Sequence, residues 1–255
     1  MSIHNEMVDK KHASEGPAYL LAAVLSYIRK HGIRPLIRDA VEVGVGYLGV
    51  QLLGRGRSFF FRGKLYQTFI HLYNVTWYSE RAVEIPIVRE YLEQCAAKKT
   101  LEVGNVLSHY INTSHDIVDK YETAVGVINK DIVEFEPEMP YELIISVSTL
   151  EHVGWDETPR DHTKICLAIN HLISMLSPTG KLVVTLPVGY NPHLDILLEE
   201  DQLPFTSVLF LKRTSRFAEW VEVDRSAIIG IRYGTPFRCA NAIAIGIVEK
   251  KGSRI

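Results

Sequence analysis

The sequence predicts an α/β fold: a mostly parallel sheet covered by helices on both faces in residues 96–255, behind an N-terminal cap of helices and a β-hairpin in residues 1–95. Three observations point there. After Lys99, short continuously apolar runs such as "LIISV", "KLVVTLP" and "AIAIGIV" alternate with turns and amphipathic segments, as strands buried on both faces do. Before Lys99, helical spacing of apolar residues dominates, broken once by an aromatic stretch with a turn in its middle. Finally, 255 residues, 47% of them hydrophobic, suffice for one large core with an appendage.

In the cap, Leu21, Val24, Leu25 and Ile28 recur at helical spacing, pause at "HGIRP", and resume through Leu36, Ile37, Ala40 and Val41, giving two helices between residues 17 and 53. "SFFFRGKLYQTFIHLYN" is β-branched and aromatic around "RGK", the pattern of a hairpin. "SERAVEIPIVREYLEQCAAKK" returns to the helical period through Val83, Ile87, Tyr91 and Cys95. Beyond it come strands at "TLEVGN", "HDIVDKY", "GVINKDIVEF" and "YELIISVST", then a helix over residues 161–176 with Ile165, Ile169, Leu172 and Leu176 on one side. "SPTG" ends that helix and "KLVVTLP" is the next strand. A short helix over residues 194–199 and the runs "SVLFLKR", "WVEVD" and "AIAIGIVEK" complete the chain.

Composition narrows the function. A net charge of −2 argues against general nucleic-acid binding. The longest apolar run, "AYLLAAVLSYI", is 11 residues long, well below the roughly 20 that span a bilayer, and the first residues lack the order of a signal peptide, so a soluble, cytoplasmic protein is expected. Cys95, Cys166 and Cys239 form no CxxC pair and suit a reducing compartment. Residues 29–64 carry eight Lys or Arg against Asp39 and Glu42, a basic segment open to peripheral contact with an anionic membrane surface or to a phosphorylated substrate.

Two stretches compete as a ligand-binding turn: "VEVGVGYLG" (41–49) and "LEVGNVLSHY" (101–110). In an open α/β sheet, ligands sit at the carboxyl ends of the strands, near the point where strand order reverses. The first stretch follows helical residues and has no Asp or Glu between Glu42 and Glu80 to accept ribose hydroxyls. The second follows a strand, has Gly104 for close backbone approach, and is followed by Asp119 at the end of the next apolar run. Asp131, with Ile132 as an apolar wall, is placed to accept from an adenine amino group, and acids at successive strand ends favour an adenosine-like ligand.

With these residues in hand, "LEVGN", "DIVDKY", "NKDIVEF", "YELIISVSTLEHVGWDE" and "SMLSPTGKLVVTLPVGYNP" resemble the class I S-adenosylmethionine-dependent methyltransferases, in the branch that modifies sugars and cell-surface glycans. The resemblance covers residues 100–250, and its most specific part is "LIISVSTLEHVG" followed by "LSPTGKLVVTLP". It implies a Rossmann-like sheet of seven strands and S-adenosyl-L-methionine as cofactor. Glu102, Gly104 and Asn105 would then lie by the methionine moiety, Asp119 by the ribose, Asp131 and Ile132 by the adenine, and Ser146 to Ser148 on the floor near the sulfonium. The first motif departs from the family in holding one glycine, with Asn105 and Ser108 where small residues are usual, and about ten residues between Asp119 and the third strand leave no room for a helix.

Methyl transfer needs an acceptor held in line and a base to take its proton. His152, just past the fourth strand, titrates in the right range; Glu151 or Asp156 would orient it or act instead, and His193 is the second choice. Glu151, His152, Asp156, His193 and Asp195 are also types that hold divalent cations, but no HExxH or DxD spacing supports a metal. Tyr73, Trp77, Tyr78, Trp155 and Tyr190 each suit core packing and, as a group, could stack on a sugar or a flat acceptor, with Arg81 and Glu84 on the cap helix able to close over the site. The expected acceptor is a small molecule or glycan. Two other readings are a non-catalytic relative that keeps the fold as a binding module and a nicotinamide-dependent oxidoreductase, the latter opposed by the absence of GxGxxG after the first strand.

Overall fold

A computed structural model of the chain describes residues 57–95, 98–216 and 219–251, with Arg29, Gly32, Ile33, Ile37, Gly44 and Gly46 as isolated positions. The chain divides into two compact units, and the second, Gly56–Lys120 with Ala124–Ile255, contains every element below. The two helices expected between residues 17 and 53 and most of the basic segment belong to the other unit and lie outside the described residues, as does "VEVGVGYLG" apart from Gly44 and Gly46.

The hairpin forms as its sequence dictates. Strands β1 (Ser58–Phe61) and β2 (Lys64–Gln67) pair antiparallel around Arg62 and Gly63, both at positive φ (52° and 72°), the backbone of a tight two-residue turn. Helix α1 (Arg81–Gln94) follows and contains Pro86. Proline has no N–H for the carbonyl four residues back. The Ala82 carbonyl instead accepts from the Phe69 amide at 2.8 Å, which ties the segment after the hairpin to the helix.

The main sheet has eight strands: β3 (Thr100–Val103), β4 (Asp116–Val118), β5 (Val127–Ile128), β6 (Tyr141–Val147), β7 (Leu176–Pro187), β8 (Ser207–Arg213), β9 (Trp220–Val223) and β10 (Ala242–Glu249). Their order is β5-β4-β3-β6-β7-β10-β8-β9. The first five run parallel, β10 is antiparallel to both β7 and β8, and β9 is antiparallel to β8. This is the Rossmann-like, mostly parallel sheet expected, with one strand more than seven because "WVEV" adds an edge. The order reverses between β3 and β6, so the switch point lies at Gly104 and Ser148.

Helices α2 (Lys164–Ser174) and α3 (Pro192–Glu199) cover one face, with Ile165, Ala168, Ile169 and Leu172 of α2 meeting Ile144, Leu182 and Val184. The i, i+3, i+4, i+7 spacing of those four residues makes the apolar stripe, and each large one stabilises the fold by roughly 1.5–3 kcal/mol. The hairpin and α1 cover the other face, where Phe59, Phe61, Val83 and Val88 pack with Leu143, Ile145, Val183 and Ile245. The hairpin and α1 thus share a core with the sheet.

Two local expectations are corrected. "GVINKDIVEF" keeps only Val127–Ile128 as strand, because the Asp131 carboxylate accepts from Val133 N and caps a 3₁₀ turn at Ile132–Glu134. "SPTG" lies inside β7, where the pairing with β6 shifts register between Tyr141 and Leu143. No α-helix follows β3, β4 or β5 among the described residues; after β3 there is one 3₁₀ turn, Leu107–His109.

Candidate functional site

At the carboxyl end of β3, Gly104 adopts φ +85°, and a Cβ there would sit 2.2 Å from Thr149 Oγ1. The glycine therefore makes room for the Thr149 side chain arriving from the end of β6. Glu102, fully buried, accepts from the amides of Val106 (2.9 Å) and Leu107 (2.7 Å) and meets His115 Nε2 at 2.8 Å. Its Oε1 thus holds the turn that follows the strand, while Oε2 meets His115, just before β4. Asp119, at the tip of β4, accepts from the Asn105 amide at 3.1 Å, and the Asn105 carboxamide takes a hydrogen bond from Ser108.

Asp131 lies between two lysines, 2.8 Å from Lys120 and 2.5 Å from Lys164, and Glu157 bridges the same pair at 3.0 and 2.6 Å. Burial opposes its charge, but the two ammonium groups hold its carboxyl below the ordinary range. Its oxygens are engaged by these lysines and by Val133 N, while Ile132 is buried against the core. Ser146 donates to the Val103 carbonyl at 3.1 Å and so stitches β6 to β3.

A second cluster gathers at the ends of β6 and β7. Ser148 has φ +42°, a strained conformation for a residue with a side chain. Its amide is bonded to Thr185, and its hydroxyl donates to Glu84 Oε1 at 2.5 Å. Glu84, fully buried on α1, also pairs with Arg81. Burial alone would lower the Arg81 pKa, but Glu84 and Glu80 raise it above its ordinary value. Glu80 is buried and accepts from the Ala240 amide at 3.0 Å; desolvation and then Glu84 raise its pKa.

Beside these, His152 Nδ1 lies 2.5 Å from Asp156 Oδ2, which also accepts from the Tyr190 hydroxyl at 2.6 Å. The hydrogen bond from His152 holds Asp156 below the ordinary carboxylate range. His152 Nε2 is 3.5 Å from Glu151 Oε1, and the other Glu151 oxygen is buried with no hydrogen-bond partner among the described residues. Tyr190 packs edge-on against both His152 and Tyr233. His193 sits at the start of α3, which Asn191 caps through the His193 and Leu194 amides while donating to the Glu151 carbonyl. Its ring contact is with His162, 5.6 Å away, on a string that continues to Trp155 and Arg160.

Burial pushes the Glu151 carboxyl up to about 7. An acid whose pKa rises on folding keeps its proton in the folded state while the unfolded chain has lost it. Stability therefore falls between the unfolded value near 4.5 and about 7. The shift corresponds to about 3 kcal/mol. Denaturant titrations of Glu151→Gln should show less loss than wild type between pH 5 and pH 8; parallel losses would show that Glu151 is not the group responsible.

Of the sequence-derived residues, the structure brings Glu151, His152, Asp156 and Tyr190 together, with Arg81, Glu84 and Ser148 in a neighbouring buried group. Glu102, Asn105 and Asp119 build the turn after β3. Glu80, Tyr233 and Arg213 were missed. Glu80 adjoins Arg81 in the sequence, but nothing marks it as buried before the contact with Ala240 is known. Among the described residues no group of three or more His, Cys, Asp or Glu is arranged to hold a metal ion, and no helix is long and apolar enough to cross a membrane.

No family model matches the chain, and no curated protein matches it. Solved structures do. The chain is similar to the N-methyltransferase NodS from Bradyrhizobium japonicum WM9 in complex with S-adenosyl-L-homocysteine, at 15% identity over 65% of this chain and 88% of that one, with a TM-score of 0.39. It is also similar to the 1,6-didemethyltoxoflavin-N1-methyltransferase of Burkholderia thailandensis, at 10% identity over 66% and 79%, with a TM-score of 0.40. For the CurJ carbon methyltransferase the figures are 15%, 66% and 53%, and 0.37.

Proposed function

We propose that the protein transfers a methyl group from S-adenosylmethionine to an oxygen or nitrogen of a small-molecule or glycan-linked acceptor. The observation that carries this reading is the buried Glu151 oxygen without a partner, set beside the Asp156-His152 pair just past the switch point of the sheet. A buried acceptor atom that the fold leaves unbonded is stabilised by a donor or a cation brought to it.

The residues fit the cofactor at two places. At the tip of β4, Asp119, anchored by the Asn105 amide, would take the ribose hydroxyls. Near the ends of α1 and β6 lie the buried carboxyls of Glu84, paired with Arg81, and of Glu151, which a sulfonium or ammonium would help to ionise. When bound, S-adenosylmethionine supplies a methyl group already activated by positive sulfur. With Nδ1 committed to Asp156, His152 would take the acceptor proton on Nε2, and Asp156 would stabilise the resulting imidazolium. Glu151 stands 3.5 Å from that nitrogen and would receive or return the proton. Ionisation of Glu151 would then set the pH dependence, so turnover is expected to rise through about pH 7.

A second reading, a module that keeps the fold without the cofactor, is favoured by Thr149 seated against Gly104 and by the ion pairs that engage Asp131. One titration separates the two. Calorimetry with S-adenosylhomocysteine should detect binding to the intact chain, and Asp119→Asn should weaken it about tenfold, the worth of one hydrogen bond to a charged group. Absence of binding at millimolar ligand supports the module.

A further inference from the structure

A hollow of about 350 Å³ opens between the end of β8 and the loop that leads into β10, lined by Lys212, Arg213, Gly230, Ile231, Arg232, Thr235, Pro236 and Asn241. Three of these residues are cationic and none is acidic. None of the three makes an ion pair among the described residues. The Arg213 guanidinium is buried; among the described residues it donates to the main-chain carbonyls of Tyr78, Ser215, Arg216 and Arg238, and the buried Glu80 lies in its field without pairing with it. Lys212 donates to the Ala227 carbonyl at 3.1 Å, and Arg232 is exposed. A cation held away from water without an ion-paired partner is costly unless an anion joins it. A cavity with such walls concentrates negative ligands.

The loop itself is held firmly. The Asn241 side chain donates to the Arg232, Phe237 and Cys239 carbonyls and accepts from the Phe237 amide. Gly189, just after β7, approaches it so closely that a Cβ would lie 2.5 Å from the Ile231 carbonyl oxygen. Tyr233, next to Arg232, packs on Tyr190, whose hydroxyl shares Asp156 with His152. The cationic hollow and the His152 cluster are therefore joined through one short segment. We infer that this hollow binds an oxyanion, namely the phosphate or diphosphate group of the acceptor, so that the substrate class is a phosphorylated small molecule anchored there with its reacting oxygen or nitrogen towards His152. The assignment to the acceptor rests on the methyl-transfer reading; the binding of an oxyanion does not.

The test is calorimetric titration of the full chain with inorganic pyrophosphate, then with S-adenosylhomocysteine. Wild type should bind pyrophosphate, and Arg232→Gln should weaken it by about tenfold, the loss of one charge-assisted hydrogen bond. Arg232 is exposed, so this variant is expected to fold; Lys212→Gln is the second and should weaken binding likewise. No binding by wild type, or wild-type affinity in both variants, overturns the inference. Pyrophosphate binding without S-adenosylhomocysteine binding keeps the anion site and removes the methyl-transfer reading. Binding of S-adenosylhomocysteine alone does the reverse.

Discussion

Replacing Arg81 by methionine is expected to destabilise the protein by about 3–5 kcal/mol, the usual cost of removing one partner of a buried ion pair. Arg81 is paired with Glu84 and lies in the field of Glu80, and both glutamates are buried. Methionine fills comparable space, so the loss reports the charge and not a cavity. Glu80, whose carboxyl is already held above the ordinary range by burial and by Glu84, would take up a proton without the cation, and the destabilisation should therefore shrink as pH falls from 8 to 5. The double variant Arg81→Met with Glu84→Gln should recover part of the loss, because glutamine still accepts from the Ser148 hydroxyl. Denaturant titration of the three proteins at both pH values is the measurement. A loss below about 1 kcal/mol would mean that the pair behaves as a solvated surface bridge.

The second large effect is expected at the switch point. Gly104→Ala introduces a Cβ at φ +85°, where side chains are strained, and drives it into Thr149, whose Oγ1, Cγ2 and Cβ would lie 2.2, 2.6 and 2.8 Å away. Strain and overpacking are each worth about 1–3 kcal/mol. The sum approaches the whole stability of many domains, near 5 kcal/mol at the low end. Removing the obstruction with Thr149→Gly should restore the overpacking share and leave the backbone strain. A glycine at 149 that rescues nothing would locate the damage in the backbone of the turn.

The sheet was legible because its strands are buried on both faces, so "LIISV" and "KLVVTLP" carry an unbroken apolar signal. The hairpin was legible because "RGK" supplies the positive-φ turn. What failed was local chemistry. Asp131 reads as the end of a strand, yet its short side chain captures the Val133 amide and ends the strand three residues earlier. Its two lysine partners come from a loop and from α2, at separations no pattern announces. The same is true of the Glu84-Ser148 bond, 64 positions apart. Glycine count was a poor guide beside position: "LEVGN" has one glycine at the switch point, and its role is to admit Thr149. Long-range pairing of charged side chains is invisible to periodicity, and the candidate site is built largely from such pairs.

Native mass spectrometry of the protein as purified, and again after addition of S-adenosylmethionine, reads directly whether the chain holds an adenosyl ligand. A one-to-one complex with an adenosyl ligand is expected, weakened in Asp119→Asn and kept in Arg232→Gln. Retention of a nicotinamide nucleotide, or no adenosyl complex at millimolar S-adenosylmethionine, would contradict it.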